Sequence, residues 1–157
     1  MKIEYEPIGV VRSPFSKRAG MPIQPSRGKG VQATIELRPK LVAGLADLEG
    51  FSHIVLLYHF HHSSGYDLRV IPFLDTEKRG VFATRAPRRP NPIGLSVVRL
   101  LRIEGSILYI EDVDLLDGTP VLDIKPYVPD FDEPVDVRIG WLAAVHRRPA
   151  ESDDRFG

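Results

Sequence analysis

Short apolar strands punctuated by turns run through this 157-residue chain. They add up to a mostly β fold, a small closed or partly open antiparallel β-barrel with one or two short helices. Three features lead there. Fourteen prolines and thirteen glycines are spread along the whole length, which cuts it into short elements and disfavours a helical bundle. Residues 31–37 alternate apolar and polar, the period of a half-buried strand. Strand and helix patterns never alternate, and no G-x-G-x-x-G motif is present, which argues against a doubly wound nucleotide-binding sheet.

The elements follow in order. Residues 3–11 mix β-branched and aromatic side chains and read as a strand. Residues 15–30 are polar and rich in glycine and proline, a long loop of the kind that is usually functional or disordered in a compact domain. In the next strand Val31, Ala33, Ile35 and Leu37 share one face. Leu41, Leu45 and Leu48 sit at helical spacing and predict a short helix ending near Gly50. Residues 54–60 are continuously apolar, which predicts a central strand buried on both faces. Shorter strands are expected at 68–72 and 80–84. Residues 93–103 and 107–113 flank Glu104-Gly-Ser106 as a β-hairpin. Asp117-Gly118 is a turn, 121–125 a strand, and 135–141 a last strand. With no internal repeat or linker, residues 1–146 read as one domain and 147–157 as a polar tail.

Composition narrows the chemistry. Without cysteine there is no disulfide, thiolate nucleophile or thiolate metal site. The N-terminus has no signal-peptide character and no apolar run is long enough for a helical membrane span, so a cytoplasmic protein without a membrane partner is expected. The formal net charge is zero but is unevenly spread. Residues 78–103 carry Lys78, Arg79, Arg85, Arg88, Arg89, Arg99 and Arg102 and no acid, while 104–137 carry ten acids and one base, Lys125. A local basic face can hold phosphates even when the total cancels. Mutual neutralisation of the two segments as neighbouring strands is the plain alternative.

The most informative stretch is residues 80–99, where Arg85, Arg88 and Arg89 stand among Pro87, Pro90 and Pro92. Proline fixes φ and removes a donor, so this is a stiff extended loop that aims guanidinium groups in set directions. Binding residues concentrate on such loops. Next comes Tyr58-His-Phe-His-His62. If the strand continues through it, His59 and His61 share a face and His62 opposes them. Two histidines want a third ligand that no nearby spacing supplies, so contact with a small molecule is favoured over a metal site. The acidic run 112–123 lacks the spacing of a calcium loop, and no metal is expected. Ser52 and Ser96 lack a nucleophile-elbow context.

Several blocks together resemble the TrmO-type (YaeB-like) family of S-adenosylmethionine-dependent tRNA methyltransferases, in a short single-domain form. They are Ile8-Gly-Val-Val-Arg-Ser-Pro14, Met21-Pro-Ile-Gln-Pro-Ser26, Leu48-Glu-Gly-Phe-Ser-His53, Gly80-Val-Phe-Ala-Thr-Arg85 running into Arg89-Pro-Asn-Pro-Ile-Gly-Leu-Ser96, and Asp117-Gly-Thr-Pro-Val-Leu-Asp-Ile-Lys-Pro-Tyr127. The resemblance implies a small β-barrel, a homodimer with S-adenosylmethionine near the subunit interface, and methylation of N6 of N6-threonylcarbamoyladenosine beside the anticodon of a threonine tRNA. It places cofactor contacts on Pro25, Ser26 and Arg27, on His61 and His62, on Arg85, on Leu95, and on Glu111, Asp112, Val113 and Asp114. Many bacterial members carry a further C-terminal domain after the Asp-Ile-Lys-Pro-Tyr block, whereas this sequence stops soon after Trp141.

The acceptor nitrogen of such a nucleoside has a poorly available lone pair, so a base near its N–H is useful. His61, His62, Asp114 and Asp123 are the candidates, and the residue pattern does not choose among them. Arg85 suits a carboxylate or an adenine face. Arg88 and Arg89, with Lys78 and Arg79 behind them, suit tRNA phosphates. Two other readings remain open: a non-enzymatic RNA-binding barrel in which Phe60 or Tyr66 stacks a base, and a methyltransferase of the same fold acting on a small molecule or protein.

Overall fold

The computed structural model describes residues 1–16, 29–73 and 75–145. Its strands are β1 (Gly9–Arg12), β2 (Gln32–Leu37), β3 (His53–His59), β4 (Arg69–Val70), β5 (Arg79–Gly80), β6 (Ile93–Glu104), β7 (Ile107–Glu111) and β8 (Pro120–Pro126). Six of them form a closed antiparallel barrel in the order β1-β2-β7-β6-β3-β8, with β8 returning to β1 through Gly9 opposite Val121. The mostly β reading therefore holds, and the barrel is closed rather than open.

The period of two explains the core. Ile54, Leu56 and Tyr58 alternate inward along β3, and Gly94, Ser96, Val98 and Leu100 do so along β6. Val11, Ile35, Leu108, Ile110 and Val121 fill the interior from the other strands. Each such side chain contributes roughly 1.5–3 kcal/mol through burial. β3 is not buried on both faces as its apolar run predicts. Val55 and Leu57 face outward and are half-buried, because a barrel this small has one interior. Gly94 is required by sterics: a Cβ there would lie 2.3 Å from the Tyr58 ring, which crosses β6 from the opposite pair position.

Several local expectations change. Of residues 3–11 only the last part is strand, since β1 starts at Gly9 opposite the last residue of β2. Leu41, Leu45 and Leu48 do pack on the barrel, but from two 3₁₀ turns, Pro39–Leu45 and Leu48–Gly50. Asp47, at a left-handed φ of 69°, separates them and prevents one continuous helix. The expected strands at 68–72 and 80–84 shrink to the two-residue ladder of β4 with β5, and Val81–Ala83 is a 3₁₀ turn. This lobe has its own small core of Val70, Val81 and Ala86, with Phe73 against it. The strand expected at 135–141 does not form, because a closed barrel offers no edge to pair with. In its place come a one-turn helix α1 (Pro129–Asp132) and a 3₁₀ turn at Gly140–Ala144. There Trp141 Nε1 donates to the Ala83 carbonyl at 2.9 Å and ties the segment to the lobe.

Antiparallel order fixes which ends meet. The ends of β1, β3 and β7 and the starts of β2, β6 and β8 share one rim. Every loop singled out for function leaves from that rim. No helix among the described residues is long and apolar enough to cross a membrane.

Candidate functional site

The site rim is assembled from four segments. The first is residues 112–116, which leave β7 and plug the barrel mouth with Val113, Leu115 and Leu116. Asp112 takes a left-handed φ of 64°, a turn geometry that acidic and amide side chains tolerate. Its Oδ1 accepts the Gly30 backbone N–H at 2.8 Å, while Val113 N–H donates to the Val31 carbonyl at 3.4 Å. Together they tie this segment to the chain leading into β2. Pro25, Ser26 and Arg27 precede Gly30 in the sequence and lie outside the described residues.

The second is a buried polar chain. Asp114 is nearly enclosed, and Ser96 Oγ donates to its Oδ1 at 3.0 Å. Tyr58 Oη lies 2.9 Å from the same Ser96 oxygen. A hydroxyl has one proton. With Ser96 donating to the carboxylate, Tyr58 donates to Ser96. Burial pushes the Asp114 carboxyl up to about 6, against the hydrogen bond from Ser96 and the field of Arg85, which favour the charged form. Arg85 is exposed, yet its charge reaches Asp114.

The third segment follows β3. The strand ends at His59, so strand alternation does not govern His61 and His62. They lie in a turn closed by Ser63 N–H to the Phe60 carbonyl at 3.1 Å, and their ring centroids are 4.1 Å apart with the planes tilted by 53°. His61 Nε2 comes close to Gly118, where a Cβ would sit 3.7 Å from it. Ser63 Oγ is buried with no hydrogen-bond partner among the described residues. A hydroxyl stranded in this way is costly unless something completes it.

The fourth is the proline-locked loop. It is irregular, as its composition requires, but its arginines divide their work. Arg85 and Arg88 are exposed, and Arg88 reaches Asp67 at 3.6 Å. Arg89 turns inward: its Nη1 donates to the carbonyls of Thr84 and Ala86 at 2.9 and 3.1 Å and shapes its own loop. Arg79 is also engaged, with Nε 2.6 Å from Asp75 and its guanidinium over the Trp141 ring. Lys78 is beside it in sequence. Among the described residues the acidic and basic segments meet in two ion pairs, Arg99 with Glu111 at 3.9 Å and Arg102 with Glu104 at 2.9 Å, so their neutralisation is partial.

Two predicted residues stand apart. Asp123 is paired with Lys125 at 2.9 Å and lines a groove at the opposite rim with Leu41, Leu45, Phe51 and Ile124, away from Asp114. Leu95 lies on the outer wall, 45% exposed, beside the exposed Ile93. Ser63, Ser96 and Tyr58 are the site-forming residues that residue patterns did not single out. A serine at an inward position of an otherwise apolar strand is the signal that carries Ser96.

These features meet a clear likeness. The family model described as the tRNA-methyltransferase O N-terminal domain matches residues 10–133. The chain belongs to that family. A probable S-adenosyl-L-methionine-binding protein of Pyrococcus abyssi is 55% identical over 99% of this chain and 86% of its own length. The tRNA (adenine(37)-N6)-methyltransferase of Mus musculus is 42% identical over 85% of this chain, which spans 33% of that enzyme. The crystal structure of TrmO from Pseudomonas aeruginosa superposes with a TM-score of 0.77 at 45% identity, covering 90% of this chain and 63% of that one. The likeness thus takes in nine-tenths of this chain, while the longer relatives carry sequence beyond it.

The rim's donor set fits the cofactor that this family implies. S-Adenosylmethionine has a carboxylate for an arginine, an ammonium and ribose hydroxyls for acids, and further polar groups that the stranded Ser63 hydroxyl can complete. Arg85, Asp112 and Asp114 supply those partners on one rim.

Proposed function

We propose that this protein is an S-adenosylmethionine-dependent methyltransferase acting on N6 of adenine 37 in tRNA, and that its substrate is the N6-threonylcarbamoyl form beside the anticodon of a threonine tRNA. The observation that carries this reading is Asp114: a nearly enclosed carboxyl, poised near neutrality, on a rim that also holds Arg85, His61 and Ser63. The names of the curated mouse and human relatives support the acceptor, and those of the archaeal relatives support the cofactor.

When bound, the cofactor supplies a methyl group activated by its sulfonium. The protein's part is alignment and exclusion of water. Arg85 would hold the cofactor carboxylate, Asp112 and Glu111 would take its ammonium or ribose, and Pro25, Ser26 and Arg27 are its further expected contacts. His61 and His62 orient the acceptor, and Asp114 takes the proton that the acceptor nitrogen sheds. That leaves Asp123, at the other rim, out of the chemistry. Arg88, with Lys78 nearby, holds tRNA phosphates, while Arg79 and Arg89 keep that surface in shape.

Leu95 points away from the barrel interior that holds Asp114's hydroxyl chain, so its contact with a cofactor fits a site completed by a second copy. We therefore place the protein as a homodimer, a single 1–146 domain per copy, working in the cytoplasm. The test is calorimetry with S-adenosylmethionine followed by mass spectrometry of tRNA incubated with enzyme and cofactor. Methylated N6-threonylcarbamoyladenosine is expected. Absence of cofactor binding overturns the reading, and tRNA-free activity on a small molecule replaces the substrate.

A further inference from the structure

The barrel interior reaches the rim through one polar route, Tyr58 to Ser96 to Asp114, and the remaining inward positions of β3 and β6 are apolar or glycine. Ser96 is 2% exposed and Tyr58 6%, so neither touches solvent to any useful extent. Two hydroxyls inside a hydrophobic core are costly unless bonded, and here they bond one another while Ser96 also bonds the Asp114 carboxyl. A serine and a tyrosine at these places do nothing for packing that alanine and phenylalanine would not do.

We propose that Ser96, held by Tyr58 behind it, is a positioning residue that fixes the Asp114 carboxyl, engaging Oδ1 from within the barrel and leaving Oδ2 to face the rim. The proposal rests on the reading of Asp114 as the proton acceptor. In that reaction the N6–methyl bond forms as the methyl–sulfur bond breaks, sulfur keeps the bonding pair, and the N6 proton passes to the outward oxygen of Asp114. The carboxylic acid so formed then loses its proton to water and the carboxylate is restored. With Oδ1 already accepting from Ser96, Oδ2 is the more open oxygen for that proton, which favours approach from the rim. The charged group whose field reaches Asp114 from the facing loop is Arg85. From β6 and β3 the facing groups are the two hydroxyls, and Asp112 and Asp117 flank it on its own segment.

The experiment titrates the aspartate carboxyl carbons by NMR in protein without added cofactor, with Asp114→Asn to assign the signal. Circular dichroism confirms that Ser96→Ala and Tyr58→Phe fold. Loss of a donor to the charged form raises a carboxyl, so the Asp114 midpoint is expected to climb by about one pH unit in Ser96→Ala and by less in Tyr58→Phe. The acid limb of kcat for tRNA methylation is expected to move by the same amount. An unmoved Asp114 midpoint in both variants overturns the proposal, as does a midpoint that moves while the acid limb stays. Should wild-type protein bind no S-adenosylmethionine while the midpoint still climbs, the site reading fails and the hydroxyl chain stands.

Discussion

Asp112 Oδ1 accepts the Gly30 backbone N–H at 2.8 Å, and this bond helps join the acidic rim segment to the chain leading into β2. Asp112 does so from a left-handed backbone. Asparagine keeps both the oxygen and the tolerance for that geometry, whereas alanine keeps neither. Calorimetry should therefore find S-adenosylmethionine affinity within about twofold of wild type for Asp112→Asn and about tenfold weaker for Asp112→Ala. Equal losses would show that the carboxylate charge matters, not the tether.

Asp114→Asn should stabilise the protein while abolishing turnover. The folded carboxyl lies at about 6 against an ordinary 3.8, so the fold prefers the neutral form. The native state then binds more protons than the unfolded chain between those values, and wild-type stability falls as pH rises through that window. Above pH 6 the variant should be more stable by about 1–3 kcal/mol, and below pH 4 the difference should vanish. Denaturant melts at pH 4, 6 and 8 measure it.

Arg85→Ala and Arg88→Ala should separate the two binding functions. The first should weaken the cofactor with little change in the salt dependence of tRNA binding. The second should lower tRNA affinity and reduce the salt slope by about one. Arg89→Ala should disturb both, since its guanidinium spans the carbonyls of Thr84 and Ala86. The comparison is made by filter binding across a salt series.

Gly94→Ala should cost about 2 kcal/mol or more, because its methyl would lie 2.3 Å from the Tyr58 ring inside a packed barrel. Adding Tyr58→Leu, which removes the ring, should recover part of that loss. A double-mutant cycle on denaturation midpoints reads the coupling.

Asp75→Asn should loosen the lobe in a pH-dependent way. The hydrogen bond from Arg79 holds the Asp75 carboxyl below its ordinary value, so its contribution is present above about pH 4 and is lost as pH falls further. Proteolysis between β4 and β5 at pH 7 should quicken in the variant and match wild type in acid.

The strands were legible where periodicity is local. Residues 31–37 and the hairpin around Gly105, whose φ of 61° favours glycine, needed no long-range information. Burial on the outer wall of β3 was not legible, since Val55 and Leu57 are as apolar as their inward neighbours and only closure distinguishes the faces. At the site, the stiff loop and the acidic segment stood out by composition. The tasks of Arg79 and Arg89 did not, because carbonyl and carboxylate partners are chosen by the folded loop and not by spacing. Asp123 looked equivalent to Asp114 in the sequence, yet it lines a different groove, with Leu41, Leu45 and Ile124.

Closure of the barrel by β1 against β8 joins residues more than a hundred positions apart. During synthesis β1 must wait for β8, the last strand of the barrel, before its second edge is covered, and until then β1 and the unfinished sheet expose raw hydrogen-bonding edges. Refolding should accordingly be slow for a chain of this size, with formation of the β1–β8 seam as the late event. Nascent chains halted before residue 120 should be those that chaperones hold.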